Sequence, residues 1–213
     1  SAALVGVQNG ETVTLNTGSA TGAFGDKNVG TGKSVQVSGL TVSGATASNY
    51  TLTQPTTTAN ITAKTLTVSG ITAGNKTYNA SNVATLSTGS AAFVGVESGD
   101  SVTIGVGSVT GTFADKNVGT GKTVTITGVT KSGTDAGNYS ITQPTATANI
   151  TAKGLTVTGI TAANKTYDAT TTATLSTGSA ALVGVQNGET VTLNTGSATG
   201  AFGDKNVGTG KSV

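Results

Sequence analysis

The sequence predicts an all-β protein, a tandem array of small β-sandwich domains with no helices of note. Apolar residues alternate with Thr or Ser along short segments, and Gly, Asn or Ser-Gly turns recur at intervals of about 8–12 residues. The chain also repeats itself every 89 residues. Alternation is the period of a strand with one buried and one solvated face, and no apolar stripe of helical period interrupts it.

The alternation is clearest in five segments. They read TLTVSGI at 65–71, DSVTI at 100–104, KTVTITGV at 122–129, NYSIT at 138–142 and TANIT at 147–151. The β-branched residues Thr and Val favour the pleated backbone of a strand. We therefore expect about seven to nine short strands in each unit, with the segment ITAK leading straight into the next copy.

The 89-residue repeat contains no insertion or deletion. Tyr78 and Tyr167 are 89 residues apart, and residues 1–35 are identical to residues 179–213. The intervening copy, 90–124, matches them at only 23 positions, which predicts a 178-residue double repeat in a longer parent. We expect the chain to come from a longer array or filament, or to pair its ends with neighbours. The predicted divisions are a partial repeat at 1–64 that lacks its opening part, a complete repeat at 65–153, and a partial repeat at 154–213 that lacks its closing part.

The composition excludes several chemistries. The chain has no His, Cys, Met or Trp, all 11 basic residues are Lys, and the net charge is +2. An imidazole base, a thiolate nucleophile and a soft metal ligand are therefore absent. The acidic residues also differ between copies, since Asp135 aligns with Thr46 and Asp168 with Asn79. We expect no enzyme activity, no catalytic residues, no metal and no cofactor.

The segment GTGKS at 30–34 resembles a phosphate-binding loop, and it returns at 119–123 as GTGKT and at 208–212. The nucleotide motif requires a further glycine where Lys27 stands, and it must open a helix. The segment is followed instead by strand-like sequence, SVQVSGLTV in the first copy. We therefore interpret it as a repeated turn between strands.

The longer segment DKNVGTGK is identical in all three copies and supplies the candidate site residues. One interpretation makes Asp115 and Asn117 ligands for Ca²⁺ or a sugar hydroxyl, although Ca²⁺ takes six to eight oxygens. The favoured interpretation is that Asp115 caps the loop backbone while Gly119 and Gly121 supply positive φ. The candidate ligand or structural residues are Asp26, Lys27, Asn28, Asp115, Lys116, Asn117, Asp204, Lys205 and Asn206.

Three other interpretations stay open at this point. Thr residues at alternate positions could form a flat hydroxyl array for ice or carbohydrate, but they also suit ordinary solvated strand faces. A Lys–Asn isopeptide crosslink could involve Lys76, Lys153, Asn138 or Asn149. Glycosylation sequences of the type N-x-S/T occur at Asn49, Asn60, Asn75, Asn79, Asn138, Asn149 and Asn164.

Four segments together resemble the YDG-type repeat of large Gram-negative bacterial exoproteins, which are similar to filamentous haemagglutinins and related surface adhesins. They are KTYDATTTATL at 165–175, GDSVTI at 99–104, FADKNVGTGKTVTITGV at 113–129 and DAGNYSITQPTATANITAK at 135–153. The glycine of the family motif is replaced by Ala169, and the preceding copy reads Tyr78-Asn79-Ala80. A left-handed turn at this glycine would therefore have to differ locally in this chain.

The resemblance implies a secreted protein of the bacterial cell surface whose repeats form a rigid stalk or extracellular filament for attachment or biofilm formation. The alternative is that the repeats are weak, multivalent glycan- or matrix-binding modules. Each unit has only two Tyr residues and no Trp, which favours the stalk because carbohydrate platforms usually use exposed aromatic rings. The expected partners are neighbouring repeats of the same or adjacent chains, with host or matrix glycans as the alternative. Nucleic acid is not expected as a partner, and no membrane insertion by this segment is expected.

Overall fold

A computed structural model describes residues 2–213 and confirms the all-β class. The described residues form 23 short strands, which we number in chain order: β1 (Thr14–Asn16), β2 (Thr21–Phe24), β3 (Gly30–Ser38), β4 (Thr41–Ser43), β5 (Thr56–Ile61), β6 (Lys64–Ser69), β7 (Thr72–Ala73), β8 (Lys76–Thr77), β9 (Val83–Ala84), β10 (Leu86–Ser87), β11 (Ala92–Val94), β12 (Thr103–Gly105), β13 (Thr110–Phe113), β14 (Gly119–Thr127), β15 (Thr130–Ser132), β16 (Tyr139–Ile141), β17 (Thr145–Thr151), β18 (Thr156–Thr158), β19 (Thr161–Ala162), β20 (Thr172–Ala173), β21 (Leu175–Ser176), β22 (Ala181–Val183) and β23 (Gly200–Ala201).

Helical structure within residues 2–213 is confined to two single-turn 3-10 helices, Ala47–Asn49 and Ala136–Asn138. The described chain therefore contains no helix with the length and apolar character needed to span a lipid bilayer. Strands β6, β12, β14, β16 and β17 lie within or across the five segments that the alternation predicted.

The chain divides into two compact units, and both draw on the complete repeat. The first consists of residues up to Ile71, Ser87–Thr110 and Ile126–Pro144. The second consists of Thr72–Leu86, Gly111–Thr125 and Thr145–Val213. The three sequence divisions predicted from the repeat thus describe the sequence period, and they stay predictions as domain boundaries.

The first unit holds two three-stranded sheets and two ribbons. Strands β2, β3 and β5 form one antiparallel sheet with β3 in the centre, where Val35 lies opposite Thr57. In the other sheet β6 is central, pairing antiparallel with β11 and parallel with β16. The ribbons are β1 with β4 and β12 with β15.

The second unit contains most of a five-stranded sheet in the order β8-β17-β14-β13-β9. Strands β14 and β17 are antiparallel, whereas β17 and β8 are parallel with Ile150 opposite Lys76. The remaining strands of this unit form two-stranded ribbons, namely β18 with β22, β19 with β21 and β20 with β23. Strand β7 pairs with β10.

Buried positions alternate with exposed Thr residues, as expected of half-buried strands. In β14, Val124 and Ile126 are fully buried while Thr123, Thr125 and Thr127 on either side of them are exposed. Nine of the ten buried apolar residues fall within residues 65–153, and Ala173 is the tenth. The equivalent strand β3 has the same alternation, but its inward residues are only half-buried. Most of the fully buried apolar positions of the described residues therefore lie in the complete repeat.

The GTGK segment is a bulge at the start of a strand, so its prediction as a turn between strands was wrong. Gly119 lies opposite Ile150 and Lys122 opposite Ala148, so three steps along β14 match two along β17. The same register shift occurs between Gly30 and Lys33 in β3. One extra residue of this kind is a β-bulge, and Gly121 provides it with a φ of 59°. The chain turns earlier, in the DKN segment.

The turns after Tyr78 and Tyr167 keep a left-handed backbone although alanine replaces the expected glycine. Ala80 has a φ of 61° and Ala169 a φ of 63°, the two non-glycine residues with positive φ in residues 2–213. The prediction that the turn differs locally was therefore wrong for this torsion angle. Asp168 fixes the second turn, since its Oδ1 accepts the Thr170 N–H at 3.0 Å and forms an ion pair with Lys165 at 2.8 Å. The Lys165 ammonium, together with the hydrogen bonds from Thr170, lowers the pKa of Asp168 to about 2.

Replacing Ala169 by glycine should stabilise the protein. A Cβ atom at positive φ costs roughly 1–2 kcal/mol, and the greater freedom of glycine in the unfolded chain offsets about 0.5–1 kcal/mol of that gain. We expect Ala169→Gly to raise the free energy of unfolding by about 0.5–1 kcal/mol in urea titrations. Ala162→Gly is the matched control, because Ala162 is an exposed strand residue without positive φ, and it should be destabilising. A destabilising Ala169→Gly would contradict the prediction.

Candidate functional site at the repeat junctions

The three DKN segments form the same tight turn. The Oδ1 atom of Asp26, Asp115 or Asp204 accepts the backbone N–H two residues later at 2.7 Å in every copy. Such Asx turns are the usual way in which a short carboxylate fixes a reversal of the backbone. A lysine seven residues further on binds the same carboxylate, as Lys122 does to Asp115 at 2.7 Å, and it holds the pKa of Asp115 below its ordinary value. The carboxylate therefore holds the loop together.

The glycines of the segment have different roles from each other. Gly121 has positive φ as predicted, but Gly119 does not, and that part of the prediction was wrong. Gly119 is a strand residue whose Cβ would lie 3.1 Å from the Lys122 side chain, so glycine lets that side chain pass over the strand. The Gly121 N–H donates to Asn149 Oδ1 at 2.7 Å, and Gly32 makes the same bond to Asn60 in the first copy. Two of the N-x-S/T asparagines thus hold the bulge.

The lysine of the first DKN segment joins two repeat segments. Lys27 Nζ forms ion pairs with Asp100 and, at 2.8 Å, with Asp135, both of which belong to the complete repeat. The Tyr139 hydroxyl donates to Asp100 Oδ2 at 2.7 Å and accepts the Glu97 N–H at 3.0 Å. We call these residues the first junction. All of them lie in the first compact unit.

Amide contacts strengthen the first junction next to the ion pairs. The Val29 N–H donates to Asn138 Oδ1 at 2.9 Å, and Asn138 Nδ2 donates to Asn28 Oδ1 at 3.2 Å. Val29 remains 37% exposed. Asn28 and Val29 thus contact the complete repeat through two hydrogen bonds between uncharged groups. Salt screens ion pairs but has little effect on such hydrogen bonds.

The lysine of the second DKN segment makes the corresponding contact in the second unit. Lys116 Nζ lies 2.5 Å from Glu189 Oε1, and Glu189 is 89 residues after Asp100. The Tyr78 hydroxyl also donates to Glu189, and Lys116 lies 5.9 Å from the centre of the Tyr78 ring. A cation over an aromatic face adds further attraction. Lys116, Tyr78 and Glu189 form the second junction.

The third DKN segment has its turn but not its junction. Asn206 donates its N–H to Asp204, and Lys211 forms an ion pair with the same carboxylate. Lys205 is exposed and makes no hydrogen bond or ion pair within residues 2–213. The structure thus places the nine candidate residues in three equivalent loops, and two of those loops contact an acid of the following repeat segment.

The acids of the junctions are functional residues that the sequence analysis missed. Glu11, Asp100 and Glu189 occupy the same position in three copies, and each pairing lysine precedes its acid by 73 residues. The sequence did contain a signal for these ion pairs, because every copy has an acid at this position and a lysine in its DKN segment. The pairing could not be recognised across 73 residues, because the local sequence does not indicate which distant side chains the fold brings together.

The junction charges stabilise each other. Lys27 lowers the pKa of Asp100 and of Asp135, and their carboxylates raise the pKa of Lys27. In the second junction Lys116 lowers the pKa of Glu189, which in turn raises the pKa of Lys116. Within residues 2–213 no group of three or more carboxylates lies together as a metal ligand set would. The arrangement joins charged side chains of successive repeat segments.

The stability of the junctions should depend on pH at both extremes. A carboxylate with a lowered folded-state pKa stabilises the fold above its unfolded pKa, near 4, and this contribution is lost as pH falls through the folded value. Lysines with a raised folded-state pKa stabilise the fold below about pH 10, and this stabilisation is lost as pH rises further. We expect a constant unfolding midpoint from about pH 5 to 9 and a decline below about pH 4 in thermal melts.

Asp100→Asn provides the control for this pH dependence. The variant keeps the side-chain shape and removes the charge that pairs with Lys27. It should be less stable than the parent chain at about pH 7, and the difference should shrink towards about pH 2 as the parent carboxylate is protonated through its lowered pKa. An equal loss of stability at both pH values would show that the charge of Asp100 is unimportant.

Recurring β segments joined through a lysine–carboxylate–tyrosine contact define a tandem-repeat β protein. The family model described as the YDG domain matches residues 1–59, 62–148 and 151–213, which is nearly the whole chain. The chain therefore belongs to the YDG domain family. No curated protein and no solved structure matches it significantly.

Proposed function

We propose that this chain is a structural segment of a secreted bacterial surface adhesin, in which the repeats form a rigid stalk or extracellular filament that supports cell attachment or biofilm formation. The observation that carries the proposal is the use of the DKN loops. The segment identical in all copies directs Lys27 and Lys116 to acids of the following repeat segment. A function that lies in joining successive segments explains why this loop is repeated without change.

The proposal includes the absence of enzyme activity. The carboxylates of the junctions are bound to lysine and tyrosine side chains, and catalysis by paired carboxylates needs two acids held at a defined separation around a substrate. Asp100 and Asp135 do converge, but on the ammonium group of Lys27. Secretion to the cell surface follows from the adhesin proposal and forms part of it.

A second candidate function is weak glycan or matrix binding by the repeats themselves. The observation that favours it is Tyr167, which is 56% exposed and lines a groove of about 730 Å³ in the second unit. An exposed tyrosine ring beside hydroxyl and amide groups is a platform on which a sugar could stack. Repetition would then supply avidity.

A binding screen separates the two functions. The intact chain would be tested by surface plasmon resonance against glycans and matrix proteins, with Tyr167→Ala as the variant of the groove. Tyr78→Ala is the matched control, because Tyr78 is the equivalent residue but is engaged by Glu189. The structural proposal expects no saturable binding by the parent chain. Saturable binding that is lost in Tyr167→Ala and kept in Tyr78→Ala would replace the stalk with the binding module.

A further inference from the structure

The acid at the position of Asp100 ends a tight turn that has the same geometry in all three copies. The turns span residues 8–11, 97–100 and 186–189, and in each of them the N–H of the last residue donates to the carbonyl of the first at 3.1 Å. The third residue is always a glycine, with a φ between 81° and 89°. Positive φ at the third position is characteristic of a type II turn, which favours glycine there.

The second residue of this turn differs between the copies. It is Ser98 in the complete repeat and Asn9 or Asn187 in the other two segments, so that the dipeptide Asn-Gly occurs twice in the chain. Every other asparagine is followed by a residue with a side chain, as Asn117 is by Val118. A β-branched side chain crowds the backbone nitrogen that follows the asparagine, whereas glycine leaves this nitrogen open to approach.

The Asn187 side chain is also free to move towards that nitrogen. Asn187 and Gly188 are exposed, and within the described residues neither the Asn187 amide nor the Gly188 N–H takes part in a hydrogen bond. Asn149, by contrast, is held in place because its Oδ1 accepts a backbone N–H. Ser98 and Gly99 are exposed as well. The turn is therefore open to water also where the repeat around it is complete.

We propose that Asn187 is a site of spontaneous deamidation. The Gly188 backbone nitrogen attacks Asn187 Cγ, and its proton passes through water to the departing amide nitrogen. A bond from this backbone nitrogen to Cγ forms while the Cγ–Nδ2 bond breaks, and ammonia leaves. Water then opens the cyclic succinimide at either carbonyl carbon. The product is aspartate, or isoaspartate in which the main chain runs through the former side-chain carbonyl.

Isoaspartate would disturb the second junction. It adds a carbon atom to the main chain inside the turn that positions Glu189. The Glu189 carboxylate lies 2.5 Å from Lys116 Nζ and accepts the Tyr78 hydroxyl, and contacts of this kind depend strictly on distance and angle. The equivalent turn of the first junction has Ser98 at this position, which cannot deamidate. The two junctions therefore differ in chemical lifetime.

Peptide mapping of the folded chain during incubation in mildly alkaline buffer tests the site itself. Mass spectrometry detects the replacement of the amide NH2 by a hydroxyl group, and electron-transfer fragmentation distinguishes aspartate from isoaspartate. Asn187 should deamidate severalfold faster than Asn117, which is exposed but is followed by Val118. A rate at Asn187 no higher than the rate at Asn117 would overturn the proposal.

Asn187→Ser is the matched control for the effect on the junction, because it reproduces the turn of the complete repeat. After incubation, trypsin should cut the parent chain after Lys116 severalfold faster than before, whereas incubated Asn187→Ser should be cut as slowly as fresh protein. Circular dichroism melts before incubation would establish that the variant is folded. Unchanged cleavage after Lys116 in the deamidated parent, or an equal increase in Asn187→Ser, would overturn the link to the junction. Neither result depends on whether the repeats form a stalk or bind glycans.

Discussion

Phe113→Ala should lower the free energy of unfolding of the second unit by about 3–5 kcal/mol, the range measured for truncating a buried Phe side chain. Phe113 is 1% exposed and lies in β13 of the five-stranded sheet. Its ring also lies 5.4 Å from Lys76 Nζ, so truncation removes a cation–π contact together with the apolar burial. Urea unfolding followed by circular dichroism would show the midpoint falling or the transition of this unit disappearing.

The chain provides its own matched control for this substitution. Phe24 is the equivalent residue 89 positions earlier, in β2, and it is 38% exposed. Phe24→Ala should cost about 1–2 kcal/mol, because part of that ring is already in water. Similar losses for both substitutions would mean that burial in the complete repeat is not what stabilises the fold.

Gly70→Ala should be the second strongly destabilising change, by about 2–5 kcal/mol. Gly70 follows β6 with a φ of 76°, and a Cβ atom there would lie 1.9 Å from the Ser90 carbonyl oxygen. The substitution therefore combines an unfavourable left-handed backbone with a clash against the opposite strand end, and each costs roughly 1–3 kcal/mol. Gly159 has the same geometry against Ser179, so the requirement recurs 89 residues later.

Gly89→Ala separates this effect from a general sensitivity of the turn. Gly89 lies in the connection between β10 and β11, has no positive φ, and a Cβ atom there would meet nothing within 4 Å. Its replacement should change the free energy of unfolding by less than about 1 kcal/mol. Thermal melts of both variants would measure the two losses of stability. A loss for Gly89→Ala as large as that for Gly70→Ala would refute the steric explanation.

The strands could be predicted from the sequence because their signal is local. Alternation of Thr with Val or Ile identified β14 and β17, and the Asx turns follow from the Asp residue two positions before each bonded N–H. The local structure of the GTGK segment could not be predicted in the same way. A bulge and a turn both use glycine, and only the register of β14 against β17 distinguishes them.

The junctions were beyond local reasoning for a different physical reason. Lys27 and Asp100 are 73 residues apart. The sequence alone does not indicate which of the acidic residues a surface lysine contacts in the folded chain. The left-handed Ala80 and Ala169 were also hidden, because alanine normally avoids this torsion and the surrounding chain must impose it. In each of these cases the sequence analysis failed on a residue whose contacts or backbone torsion depend on distant parts of the chain.

The occupied lysine side chains also determine where a lysine-directed protease can cut. The chain has no arginine, and nine of its eleven lysines donate hydrogen bonds within residues 2–213; Lys153 and Lys205 do not. A lysine-directed protease must draw the side chain into its own specificity pocket, and for nine sites that first requires breaking these contacts. We expect limited trypsin digestion, followed by mass spectrometry, to show the first cuts after Lys153 and Lys205. Initial cleavage after Lys27 or Lys116 would contradict this. The contacts that join successive segments thereby also protect their lysines from proteolysis.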